Sequence, residues 1–286
     1  MKNLSTIWER PVYLPNVQPT LTERAILETE MQIGYKLPVE FTNLLKTQNG
    51  GTTRCTLEHL PNHISIFGIG PNKESISNNI FQKWTPEGLI PFDGDCDFCL
   101  CMDYRENTNT PAITALHGKW NEDIFYTLEE QAIAENFNDY LSMLEVHASD
   151  TLVFETEMSI REAKAVISRV IQRKIRPAST MGGVVYYTTD LRNAKDYFSI
   201  DIYNNIVPKY YTLRDATQEE YQRDPLERKF EVIDKNYPNE FALRHPEVPA
   251  EFILLDFPVV SNVRLTFLEK MRKAGYTVRP LKHYLD

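Results

Sequence analysis

Three cysteines stand together in DCDFCLC, Cys96, Cys99 and Cys101, with Cys55 and His59 upstream as a possible fourth ligand. Four such ligands would make a tetrahedral zinc site. The cluster lacks paired C-x-x-C units, however, and in an extended segment Cys99 and Cys101 share one face. A reduced cysteine there is a small buried apolar residue. No metal is expected. The same stretch, IPFDGDCDF, sets Asp93, Asp95 and Asp97 two apart, so an extended chain projects them to one side, with Asp103 and Glu106 following. Carboxylates on one face repel one another unless a cation or a basic partner is present. The loop lacks the glycine and terminal glutamate of an EF-hand. These five acids are therefore candidates for partner binding, with Trp84 and Trp120 as candidate aromatic anchors. The alternatives are a solvated turn, with Gly94 in the left-handed position, and core positions for the two tryptophans.

Other chemistry is missing its partners. FGIGPNKES resembles a phosphate loop but lacks the Gly-Lys-Ser/Thr end, and STMGGVV has no G-x-S-x-G elbow. H-E-x-x-H and P-C-x-x-C do not occur, and the six histidines are scattered without ligand or triad spacing. No catalytic residue and no cofactor is assigned. An enzyme in the second half would need Asp190, Asp201 or His245 to converge in a cleft. The basic runs RVIQRKIR and KMRK fall on amphipathic helices, where charged faces are ordinarily solvated, so nucleic acid is not an expected partner.

Charge narrows the choice further. The chain has 286 residues and a net charge of −9. Residues 1–149 hold 10 Lys plus Arg against 20 Asp plus Glu, and the remainder holds 21 against 20. An acidic half repels nucleic acid and anionic lipid and steers basic proteins into encounter. The opening residues carry no apolar run of signal-peptide length, and no 18 apolar residues run together. The expectation is a cytoplasmic protein with reduced thiols and no membrane contact.

The elements that must position these residues suggest two α+β domains, residues 1–149 and 150–286, divided where the charge shifts. Thr20 with Glu23 has capping-box spacing for a first helix that Gly34 ends, and KLPVEFTNLLKTQNGG predicts a second, entered at Pro38 and stopped by Asn49, Gly50 and Gly51. Ile76, Ile80 and Trp84 fall at helical spacing. ISIFGIG, GLIPFDG, FCLCMDY and PAITALHG read as strands of one sheet. Residues 128–144 place Ile133, Phe137, Tyr140, Leu141 and Leu144 on one helical face. The second half opens with a basic amphipathic helix, SIREAKAVISRVIQRKI, then offers strands at GGVVYYTTD, YFSIDIYNN, IVPKYYTL and EFILLDFPVV. A further helix, NVRLTFLEKMRKAG, and a final YTVRPL close it.

LPVEFTNLLKTQNGG, a gap containing Trp84, LIPFDGDCDFCLCMDYR, a proline and IAENFNDYLSML resemble, in that order, the SUKH superfamily over residues 20–146. That superfamily includes bacterial immunity proteins and fungal regulators of glucan synthesis. The resemblance implies a mixed β-sheet packed by helices and action by binding. It implies no catalytic residues. For a bacterial member it implies a protein that occludes a cognate toxin, often a nuclease, of a contact-dependent competition system. For a fungal-type member it implies a regulatory scaffold of cell-wall synthesis or stress signalling. Its glycine-and-acid turn falls on Asp93, Gly94, Asp95 and Asp97, with Cys96 replacing a commonly small residue. By analogy with joined immunity modules, residues 150–286 are a candidate second module.

Overall fold

The computed structural model describes residues 4–58, 60, 65–77, 85–94, 98–120, 126–148, 150–192, 197–223, 226, 228–257 and 262–285. They divide into two compact units, Met1–Glu9 with Tyr13–Val146, and Arg10–Val12 with His147–Asp286. Both are α+β.

In the first unit, helix α1 spans Glu23–Ile33. Its cap is Thr22, two residues after the expected Thr20. Thr22 has the extended backbone of a cap, and its side chain accepts the Ala25 N–H at 3.1 Å. Gly34 ends the helix at φ 81°. Helix α2 spans Val39–Thr47, with Pro38 just outside it as the cap, and buries Phe41, Leu44 and Leu45. No helix forms over residues 71–77. Ser75 Oγ accepts from the Gly70 N–H at 3.3 Å and the Ser77 N–H at 3.4 Å, local bonds that compete with a helical ladder. Ile76 is buried there, while Ile80 and Trp84 lie outside the described residues.

Strands β1 (Leu89–Gly94), β2 (Phe98–Asp103), β3 (Ala112–Trp120) and β4 (Tyr126–Ala134) form an antiparallel sheet in sequence order. Alternation along β2 sends Phe98, Leu100 and Met102 into the core with α1 and α2, and Cys99 and Cys101 to the opposite face with Leu89 and Leu116. Helix α3 spans only Phe137–Met143. The longer helix expected over 128–144 is interrupted because Asn136 is extended and caps α3, its side chain accepting the Asp139 N–H at 3.0 Å. Residues 126–134 pair with β3 instead. Phe92 closes the core, its ring 5.4 Å from both Phe137 and Tyr140.

The second unit is built on β5 (Thr151–Phe154), α4 (Ile160–Ile171), β6 (Arg176–Met181), β7 (Val184–Arg192), β8 (Tyr197–Asn204), β9 (Ile253–Asp256), α5 (Asn262–Lys273) and β10 (Val278–Pro280). The strands make one antiparallel sheet in the order β6-β7-β8-β9-β5-β10. Ser159 and Glu162 form a complete capping box at α4. Ala163, Ile167 and Ile171 of α4 and Phe267 and Met271 of α5 cover one sheet face through Leu152, Ile200, Ile202 and Leu255. Val153, Tyr203 and Leu254 fill the other.

Candidate functional site

The acidic turn is only partly a surface. Asp93 is 1% exposed, and its Oδ1 accepts from the Ser65 N–H at 3.1 Å and the Ser65 hydroxyl at 3.3 Å. The cause is a register shift between Pro91 and Asp93, which leaves Phe92 bulged and sets Asp93 opposite Leu100, a core-facing residue. The expectation that Asp93 projects into solvent is thereby corrected. Segment 65–67 also covers the outer edge of β1, where the Phe67 N–H donates to the Phe92 carbonyl at 2.7 Å. Gly94 takes φ 111°, and a Cβ there would lie 2.1 Å from the Phe98 carbonyl oxygen. Asp95, Asp97 and Trp84 lie outside the described residues.

Asp103 and Glu106 do reach the surface region after β2. Arg105 donates through Nε to Asp103 Oδ1 at 2.9 Å and through Nη2 to Asp103 Oδ2 at 2.6 Å. The same guanidinium reaches Glu130 on β4, Nη1 to Oε1 at 3.1 Å and Nη2 to Oε2 at 2.7 Å. Thr114 donates to Asp103 Oδ2 at 3.1 Å. Hydrogen bonding from Arg105, above all, holds the Asp103 carboxyl below its ordinary value despite partial burial. Glu106 is exposed in the following turn. Trp120 is the last residue of β3, opposite Tyr126, and is described through its backbone alone.

The sheet's open side is β4. Among the described residues no strand pairs with its outer edge, and Leu128, Glu129, Glu130, Gln131 and Ala132 are exposed although alternate residues face opposite ways. Residues 126–135 hold Glu129, Glu130 and Glu135 and no lysine or arginine. These acids were hidden from sequence reading by the helical pattern of 128–144. The signal available was the Asn136 to Asp139 cap spacing, which starts a helix only after them.

Residues 20–143 match the SMI1 / KNR4 family (SUKH-1). The first unit is a SUKH domain. That membership is compatible with an immunity protein or a regulator, both of which act through protein–protein interaction. No curated protein and no solved structure matches the chain.

Within the SUKH domain the thiols are interior groups. Cys99 and Cys101 Sγ lie 3.7 Å apart and both residues are buried, as is Cys55. Burial pushes the Cys101 thiol upward, as do Cys99 and the nearby Asp103 and Glu130. Cys96 and His59 lie outside the described residues, and among those described no three His, Cys, Asp or Glu gather around a possible metal position. Nor, among the described residues, is any helix long and apolar enough to cross a membrane.

In the second unit Asp201 lies opposite Asp256 in the β8–β9 register. Asp256 Oδ1 accepts from Tyr203 at 2.8 Å and Thr151 at 2.9 Å, and burial raises its carboxyl above the ordinary value. His245 is buried, its N–H donating to Asn205 Oδ1 at 2.9 Å. Asp190 lies on β7 opposite Ser199.

Proposed function

We propose that the chain is a cytoplasmic immunity protein whose SUKH domain binds and neutralises a cognate protein toxin, with a nuclease as the toxin class suited to an acidic surface, and that it performs no catalysis itself. The observation carrying this reading is the glutamate-bearing edge of β4, unpaired among the described residues, in a SUKH domain whose half of the chain holds twice as many acids as bases. An exposed edge offers main-chain donors and acceptors to an added strand, and the carboxylates select a basic one. The proposed contact surface comprises Glu129, Glu130, Asp103, Glu106 and Trp120, joined on sequence grounds by Asp95, Asp97 and Trp84. Asp93 is not part of this surface: it is buried on β1, at the other edge of the sheet, where it holds Ser65.

The test is binding of the purified chain to toxin domains encoded beside it, repeated at high salt and with Glu106, Glu129 and Glu130 changed to Gln. Tight binding that weakens at least about tenfold in the triple variant supports the reading. Binding indifferent to these changes removes the β4 surface. No binding to any such toxin, together with capture of a cell-envelope or signalling enzyme, favours the second reading, a regulatory scaffold. That reading draws on the separate core of the second unit, which gives the chain a further module outside the family match.

A further inference from the structure

The helical layer of the second unit concentrates positive charge. Residues 160–176 and 262–273 together hold ten Lys or Arg against Glu162 and Glu269. Glu162 is engaged in the capping box with Ser159, and Glu269 is paired with Lys273 at 2.6 Å. Among the described residues no carboxylate forms an ion pair with Arg161, Arg169, Arg173, Lys174, Lys270 or Arg272. Residues 150–286 as a whole are nearly balanced, 21 bases to 20 acids, so ten bases against two acids is a local concentration.

Helix electrostatics account for part of the pattern only. Cations in the last turns of α4 and α5 complement the C-terminal ends of the helix dipoles. Arg161, however, stands in the first turn of α4, where the dipole disfavours a cation, and Arg173 and Lys174 lie beyond the helix. The crowding acts on Lys164 too: held over the Tyr187 ring at 3.3 Å, its amine is lowered by burial and then by Arg161. Since α4 and α5 cover the same sheet face with their apolar sides, their outer sides belong to one layer. On it Leu265 is 67% exposed. An apolar contact among cations matches the apolar centre and polar rim of a protein interface. A phosphate backbone would leave Leu265 unused, and two helices packed flat on a sheet present no element to enter a groove.

We propose that the α4–α5 layer docks an acidic protein surface that carries apolar side chains. This rests on the second unit alone and is independent of the toxin reading of the SUKH domain.

The experiment titrates the full chain with two probes, polyglutamate and a random glutamate–leucine copolymer, at low and high salt, beside duplex DNA and anionic phosphatidylserine vesicles. The layer variant changes Arg161, Arg169, Arg173 and Arg272 to Gln. The control makes the same charge change elsewhere in the unit, at Arg223, Arg228, Lys235 and Lys282, and circular dichroism verifies both folds. The expected result is salt-sensitive binding, tighter to the copolymer than to polyglutamate, lost about tenfold or more in the layer variant and retained in the control. Leu265→Asn should remove the copolymer's advantage. Equal loss in both variants, absence of binding, or preference for DNA or vesicles overturns the proposal. Concentration-dependent self-association that only the layer variant abolishes would overturn it in favour of a second copy of this chain.

Discussion

Arg105 grips Glu130 with both terminal guanidinium nitrogens, at 3.1 and 2.7 Å, while the same side chain holds Asp103. One cation thus ties the end of β2 to the edge strand β4 across β3. Its two forks are the favoured Arg–carboxylate geometry, but the side chains of Arg105 and Glu130 are 36% and 40% exposed, so water screens the gain.

Arg105→Met should therefore cost about 1 kcal/mol of unfolding free energy at neutral pH. The pH dependence follows from Asp103. Its folded carboxyl lies below the ordinary value, so it contributes stability above that value and loses it as pH falls through the depressed one. The gap between wild type and variant should narrow as pH drops below the usual aspartate range. Chemical denaturation at neutral and acid pH checks this; a gap that stays constant would remove Asp103 from the account.

How much of this was written legibly in the residues depends on range. The punctuation of α1 and α2 is local, in caps, prolines and glycines a few positions apart, and the structure moves it by no more than two residues, whereas α4, read through Ile175 without a stop signal, ends at Ile171. The strands FCLCMDY and PAITALHG carry their own alternation. What escaped reading depends on pairing. Residues 128–134 show helical spacing but join β3 because a partner strand is present, and Asp93 turns inward because one bulge shifts its register against β2. Of the six cations without an ion pair among the described residues, all but Arg161 were visible in the two basic runs, but only the packing of α4 beside α5 makes them one layer.

Asn49 was legible as a helix stop but does different work. It is 4% exposed, donates to the carbonyls of Pro19 at 2.6 Å and Ile69 at 2.9 Å, and accepts the Ile69 N–H at 2.9 Å. Asn205 brackets the second unit alike, donating to His245 and Val248 carbonyls and accepting the His245 N–H. Removing either side chain strands several buried backbone groups. Asn49→Ala and Asn205→Ala should each cost about 2–4 kcal/mol. Asn49→Asp should cost a similar amount, because a carboxylate cannot donate to two carbonyls. Denaturant melts of each variant check this, and a loss below about 0.5 kcal/mol would refute the bracket.

Gly94 is required by both backbone and space. Its φ of 111° is outside the range side chains favour, and an added Cβ meets the Phe98 carbonyl oxygen and the Cys99 Cα at 2.1 and 2.5 Å. Neither backbone atom can yield without disturbing the β1–β2 pairing. Gly94→Ala should destabilise the SUKH domain by roughly 2 kcal/mol or more. Gly34→Ala offers the comparison, since its φ of 81° carries strain but no atom lies within 4 Å of where the alanine methyl would sit. Its loss should be the smaller, and a reversed order in thermal melts would reject the close-approach explanation.

Glu74 offers a substitution that should strengthen the fold. Its Oε2 is buried without a hydrogen-bond partner, and burial first, then the negative charge of Asp93, raises its carboxyl above the ordinary value. A raised carboxyl means the folded state binds the proton more tightly than the unfolded chain does. Ionisation therefore penalises the fold once pH exceeds the raised value, and the penalty disappears as pH falls below the ordinary glutamate range. Glu74→Gln keeps the shape and removes the charge. It should raise the melting temperature at neutral pH by a few degrees, with wild type and variant converging in acid. A variant that melts lower than wild type at neutral pH would show that the ionised carboxylate is held favourably, and the burial argument for Glu74 would fail.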